Sequence, residues 1–356
     1  MKLFLKRILL TAGCLVTADW ASAQDIHFSQ FYENAILRNP ALTGIFSGDY
    51  KVGLNYRNQW SSISVPFQTG LASVESRIAV NKETGDYLSF GATLTYDRAG
   101  SINFNSTQIY PAINYNKALE DVRNSYLSAG FTLGYVQRSV DPAKMVYASQ
   151  FQNGNYNPGN VSGESPRNVK MDFFDVGAGV SFNSSAGRDN AVNYYLGAAA
   201  YHVNKPKASF DENESFVRLR TKWNANMGFQ WMIDPFVGLT FHANYSRQNP
   251  YTELILGSLL SWRKLDGDQM NALFIIHGGL FYRYKDAFIP TVKIDYQKYS
   301  MTFSYDINSS TLRTASSGAG GFEISLSTRG NFDNLSAKDK TKCPRFEQMS
   351  TLGIGD

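Results

Sequence analysis

Cysteine is almost missing from this chain. There are two in 356 residues. Cys14 falls in the first 23, so removal of a leader leaves Cys343 alone and excludes an intrachain disulfide. Charge is sparse as well: Asp, Glu, Lys and Arg make up 18 % of the residues, against about 25 % in an ordinary soluble domain. The net charge is +4, spread along the chain, which gives no basic patch and no case for a nucleic-acid partner. Histidine occurs four times, as His27, His202, His242 and His277, in four separate segments. Neither HExxH nor GxSxG is present, and no cysteine set has metal spacing. No catalytic or metal residues are therefore assigned, no cofactor is implied, and the expectation is a protein that is not an enzyme. Beyond the first 23 residues no apolar run reaches the ~20 residues of a membrane helix.

What is present is aromatic residues and alternation. Aromatics reach 14 %, with 21 Tyr and 24 Phe, in a chain whose mean hydropathy is only −0.29. Leu127, Ala129, Phe131, Leu133 and Tyr135 alternate with Ser128, Gly130, Thr132 and Gly134. Val237, Leu239, Phe241, Ala243 and Tyr245 alternate with Gly238, Thr240, His242 and Asn244. A period of two means a strand with one apolar and one polar face. The pattern recurs often enough to predict about fourteen strands between residues 49 and 329, the longest alternation running over 217–232. The polar faces carry Ser, Thr, Asn, Gln, Gly and Tyr more than Lys and Glu, unlike a soluble sandwich. Trp223 and Trp231 share one apolar face, roughly 26 Å apart along a strand. In a strand tilted by about 40° they bracket a band of about 20 Å, close to the girdle spacing of a membrane barrel.

The predicted fold class is therefore all-β: a transmembrane antiparallel barrel whose apolar outer face meets outer-membrane lipid. Closure removes the strand edges that lipid could not solvate. The connections alternate between short turns and longer loops, the asymmetry of an outer-membrane barrel with its long loops outside the cell. Lys2, Lys6 and Arg7 precede the apolar run from Ile8 to Ala18, and Ala21-Ser22-Ala23 closes it. That is a secretory signal over 1–23, with Gln24 as the mature N-terminus. Residues 24–48 are expected to form a periplasmic or plug segment, 49–329 the barrel, and 330–356 a periplasmic tail.

By parity, Lys51, Arg57, Glu75, Arg77, Asp175, Arg218, Arg220, Lys222, Lys293, Asp295 and Glu323 face the lumen. Mixed charges there suit either a lumen pinned shut by ion pairs or a hydrated channel. Residues 24–48 and the long loop from Val140 to Lys170 are both available as fillers. That loop carries Met145, Tyr147, Phe151 and Tyr156 among polar residues, and the loop Asn204–Phe216 carries Phe210 and Phe216. Aromatics on long polar loops suit recognition of a protein partner. The tail turns from polar to compact at Cys343-Pro344-Arg345-Phe346. Pro fixes the backbone, Arg offers a fork for a carboxylate, and Phe supplies an apolar anchor for a periplasmic partner.

Residues 24–44, QDIHFSQFYENAILRNPALTG, fit no barrel strand. They resemble the start of the PorP/SprF family of Bacteroidota outer-membrane proteins. The carriers are Phe28-Ser29-Gln30-Phe31 and the turn from Asn39-Pro40 to Gly44. The stretches 282–292, 304–326 and CPRF at 343–346 also resemble that family. The resemblance implies a component of type IX secretion and gliding machinery. It implies an exported surface protein with a type IX C-terminal domain, an adhesin, as one partner. It implies periplasmic secretion components as the other. The alternative is a FadL-like outer-membrane transporter for small solutes, which also has about fourteen strands and an N-terminal plug.

Overall fold

In the computed structural model, the described residues run from 25 to 332, apart from 62–64, 82–83, 121–122, 153–154, 164–167, 212–216, 267–270, 311–315 and 317. The chain forms a closed antiparallel barrel of fourteen strands. They are β1 (Tyr50–Gln59), β2 (Phe67–Asn81), β3 (Asp86–Ala99), β4 (Phe104–Glu120), β5 (Ser125–Ser139), β6 (Lys170–Ala186) and β7 (Val192–Tyr201). Then follow β8 (Lys222–Met232), β9 (Val237–Gln248), β10 (Tyr251–Asp266), β11 (Asn271–Arg283), β12 (Ala287–Tyr296), β13 (Tyr299–Asn308) and β14 (Ala319–Gly330). Each strand pairs with its neighbours in sequence. The ring shuts where β1 meets β14, from Tyr50↔Gly330 to Gln59↔Gly321.

The alternation does what lipid requires. Along β5, Leu127, Phe131 and Leu133 are half or more exposed, while Ser128, Gly130 and Thr132 are buried. Trp223 and Trp231 both point outward. One end of the barrel carries the turns 187–191, 233–236 and 297–298 and both ends of the sheet, Tyr50 and Gly330. The other carries the loops 140–169, 202–221 and 309–318. These are the short-turn end and the long-loop end.

One strand is shorter than its alternation predicts. β8 begins at Lys222, not Val217. Its neighbours run out there: Lys222 pairs with Tyr201, the last residue of β7, and Trp223 with Arg247 near the end of β9. Residues 205–211 and 217–219 instead pair with one another as the two sides of an arm. Ala208 N–H donates to Val217 O, Leu219 N–H to Pro206 O, and Lys207 bridges Arg218. Arg218 and Arg220 are thus solvent-exposed on the long-loop side, a correction to the lumen position their parity implies.

Candidate functional site

Residues 25–48 lie inside the barrel. They contain two one-turn 3-10 helices, Phe31–Glu33 and Pro40–Leu42, and one α-helical turn, α1 (Ala35–Arg38). Such short pieces have no stability of their own. The wall supplies it, in two places that coincide with the two family motifs.

The first is a charged cage around Ser29 and Gln30. The Glu323 carboxylate on β14 accepts the backbone N–H of Ser29 at 2.8 Å and of Gln30 at 3.1 Å. Asn55 on β1 donates to the same carboxylate, at 2.9 Å. Arg57 reaches Glu323 at 3.2 Å, Asp306 at 2.9 Å and the Ser29 hydroxyl at 2.9 Å. Arg283 on β11 donates to Ser29 Oγ at 2.6 Å and to Asp306 at 3.1 Å. Gln30 Nε2 donates to Ser304 Oγ and to Glu323 O, and its Oε1 accepts from Ser325 Oγ. Arg57 and Glu323 are almost wholly buried. Buried charges persist only when paired and hydrogen-bonded, and here two cations face Glu323 and Asp306 within the wall while Ser29 and Gln30 take up the remaining bonds.

Below the cage, Tyr32 is sandwiched between His242 and Phe281, with ring centroids 4.9 and 5.1 Å away. Glu33 pairs with Lys293 at 2.8 Å and Lys51 at 3.9 Å. Arg38 donates to Tyr195 OH at 2.6 Å, and its guanidinium lies over the Tyr195 ring.

The second place is the Asn39-Pro40-Ala41 turn. Asn39 caps it by accepting from Ala41 N–H at 2.9 Å, and its amide donates to Val180 O on β6 at 3.1 Å. Asn114 on β4 donates to Ala41 O and Thr43 O at 2.9 and 2.8 Å, and Ser181 donates to Ala41 O at 3.0 Å. The turn presses onto inward glycines. A Cβ on Gly130 would lie 2.4 Å from Pro40 carbonyl atoms, and one on Gly179 would lie 2.1 Å from Asn39 Oδ1. Gly44 takes φ +79°, which only glycine adopts without strain, and its N–H donates to Glu75 at 2.8 Å. Arg77 donates to Phe46 O at 2.9 Å and lies over the Phe46 ring.

The segment also crosses the lumen from end to end. Asp25 sits at the long-loop end, 2.8 Å from His202 and 3.4 Å from Lys222, the residues that flank the 202–221 loop. Burial alone would raise the Asp25 carboxyl; His202 and Lys222 overcome this and hold it well below the usual carboxylate range. At the short-turn end, Asp49 N–H donates to Gly330 O at 2.7 Å. Cavities of about 50 and 20 Å³ remain beside the segment, one along Phe28, Asn34 and Asn244, the other along Tyr32, Leu42 and His242. The larger has room for a few waters and the smaller for about one.

Of the charges assigned to the lumen, the structure brings Lys51, Arg57, Glu75, Arg77, Lys222, Lys293 and Glu323 onto the segment itself. Asp175 holds Tyr110 OH at 2.8 Å and approaches His202 Nδ1 at 2.9 Å. Asp295 bonds His277 at 3.1 Å, whose other ring nitrogen lies 2.6 Å from Ser261 Oγ. This Ser–His–Asp chain was not evident in the sequence, since its members sit on β10, β11 and β12. It has the connectivity of a hydrolytic triad, but Ser261 has no exposed surface to offer a substrate. Its physical role here is to satisfy buried polar groups across three strands.

The loop aromatics are spread out. Tyr147 and Met145 touch one another, and Phe151 and Tyr156 pair across a two-residue ladder at 5.4 Å with both rings exposed. The described residues of the loop 140–169 are all exposed or half-buried, and the lumen filling seen among the described residues comes from 25–48. Phe210 leans on Phe104 at 6.4 Å. Phe216 and the tail residues Cys343, Pro344, Arg345 and Phe346 lie outside the described residues.

A closed fourteen-stranded barrel with an aromatic, lipid-facing exterior is an outer-membrane protein, and this one is packed internally by its own N-terminal segment. Its sequence from residue 21 to 328 matches the family described as type IX secretion system membrane protein PorP/SprF. The chain belongs to that family. Among curated proteins none matches it. Among solved structures it is similar to a Pseudomonas aeruginosa FadL homologue, at 10 % identity and TM-score 0.51 over 81 % of this chain and 91 % of that one. It is also similar to a TodX mutant titled a monoaromatic hydrocarbon channel, at 8 % identity and TM-score 0.50 over 84 % and 94 %. At such identities the likeness is one of fold.

Proposed function

We propose that this barrel is a non-enzymatic holding and docking component of type IX secretion rather than a solute channel. The observation that carries the reading is the lumen segment, bonded to β1, β11, β13 and β14 at one motif and to β4 and β6 at the other. With the lumen so occupied, the surfaces left for function are the two ends. The long-loop end, taken as extracellular, carries the exposed pair Phe151 and Tyr156 and the arm 205–219. It suits an exported surface protein, an adhesin bearing a type IX C-terminal domain. The segment 330–356, with Cys343-Pro344-Arg345-Phe346, suits periplasmic components of the machine. Family membership supports the secretion context, and the choice of partner is this proposal's own.

Two deletions test it. Removing 145–165 is expected to leave a heat-modifiable barrel in the outer membrane that no longer retains its surface protein. Truncation after Phe332 keeps β14 whole, together with the contact of Phe332 on Tyr50. It is expected to spare the barrel and abolish copurification of periplasmic secretion proteins. Normal retention in the first variant, or normal copurification in the second, refutes the corresponding half. The FadL-like alternative predicts steady solute flux through the wild-type barrel, which liposome swelling would reveal.

A further inference from the structure

Between β7 and β8 the chain does more than loop. The described residues of the arm, 205–211 and 217–219, are tied together: besides their ladder, Arg218 Nη1 donates to Lys205 O at 3.1 Å, and Thr221 Oγ1 donates to His202 O at 3.4 Å, joining the two stems. It makes two kinds of contact with the lumen segment. Ala208 and Leu219 pack against the apolar cluster of Ile36, Tyr110, Val136 and Phe173, beside Leu37 of the segment. At the stems, Asp25 binds His202 on one side and Lys222 on the other.

The stem cluster is of mixed charge and largely shut off from solvent: Asp25 and Asp175 face His202 and Lys222, with Arg138 nearby. The His202 side chain is 4 % exposed and that of Asp175 not at all. His202 also holds φ at +54°, in the left-handed region that turns the chain at the end of β7. Asp25 is the one member contributed by the lumen segment, and it contacts both stems.

Resting on the holding role above, we infer that the Asp25–His202–Asp175–Lys222 cluster is a latch that makes the arm 205–219 a lever on the lumen segment. A protein seated on the long-loop end and gripping this arm then acts, through the latch and the Ile36 cluster, on the segment that fills the barrel. The same geometry presents residues 25–27 at the long-loop mouth, within reach of such a partner.

The test uses the full-length barrel without any partner, so its failure is separable from failure of the holding role. In a Cys343→Ser background, spin labels are placed at Ser209→Cys on the arm and at Ile26→Cys on the segment. Asp25→Asn should raise the mobility of both labels. Glu33→Gln cuts a different bond of the same segment, to Lys293, and should leave the Ser209 label unchanged. An unmoved Ser209 label in Asp25→Asn, or equal loosening in Glu33→Gln, overturns the latch. Should Asp25→Asn not assemble, intact cells decide with the native latch in place. A membrane-impermeant maleimide should label Ile26→Cys and Ser209→Cys from one side and Gln297→Cys, in a short turn, from the other. Ile26→Cys behaving like Gln297→Cys overturns the proposal.

Discussion

Replacing Gly130 by alanine should push the Asn39–Gly44 turn off the wall and loosen the lumen segment without harming the barrel. The added methyl would lie 2.4 Å from the Pro40 carbonyl carbon and oxygen and 2.5 Å from Ala41 N, where ordinary contact begins at 3.4 Å. All three atoms are backbone, so no rotamer change relieves the clash and the turn must retreat by about 1 Å. That retreat stretches the bonds from Asn114 to Ala41 O and Thr43 O and from Ser181 to Ala41 O beyond hydrogen-bonding distance. Three such bonds are worth about 3 kcal/mol net, and overpacking a tight site adds about 1–3 kcal/mol. The seated segment therefore loses about 4–6 kcal/mol, a shift of roughly a thousandfold or more towards the unseated state. Strand pairing does not use the Gly130 side, so the barrel should still form. Gly278→Ala is the matched control, since a Cβ there meets nothing within 4 Å. Planar-bilayer conductance is the assay, with heat-modifiable migration confirming the barrel. Frequent openings in Gly130→Ala and quiet traces in Gly278→Ala are expected. A folded Gly130→Ala protein as quiet as its control would refute the claim that the Asn39–Gly44 turn is seated on this wall.

Three further outcomes follow from the cage and the latch. Arg57→Met removes the cation between Glu323 and Asp306, leaving two buried carboxylates under-compensated, and should cost about 3–5 kcal/mol; the urea midpoint followed by tryptophan fluorescence measures it, and an unchanged midpoint counts against the cage. Tyr32→Ala empties the slot between His242 and Phe281 and should cost about 3–5 kcal/mol by the same measurement. His202 is penalised by burial yet raised to about 9 from 6.5 by Asp25 and Asp175, with Tyr110, Lys222 and Arg138 as the other groups around the pair. A folded-state value above the unfolded one means that its contribution is complete below pH 6.5 and lost as pH rises through 9. A spin label at Ile26→Cys should thus be immobile at pH 7 and mobile by pH 10, and a flat profile would contradict the assignment.

The barrel was legible because lipid enforces a strict period of two. β5, Ser125–Ser139, contains the whole alternation from Leu127 to Tyr135. The failure at 217–221 has a physical cause: alternation reports a face, whereas a strand also needs a neighbour, and β7 stops at Tyr201. The lumen contacts were beyond reach for a related reason. Ser29 meets Glu323 across 294 positions, and no local pattern encodes which inward polar residue will face which part of the segment. Gly130 lies on the inward polar face as its alternation implies, but nothing local shows that it, like Gly179, must be small enough for Pro40 and Asn39 to press against the sheet.

The Ser29–Gln30 cage straddles the seam where the first and last strands meet. Arg57 and Asn55 come from β1, Glu323 and Ser325 from β14, so the segment clasps from within the one ladder that turns a sheet into a ring. This sets a condition on assembly. A chain that runs from one mouth to the other cannot be slipped sideways into a finished barrel, and threading it lengthwise would drag it past its own anchors. The order of synthesis offers the simpler course, because residues 25–48 are made before any strand. The sheet can then curl around a segment already in place, and the final β1–β14 pairing completes both the wall and the clasp.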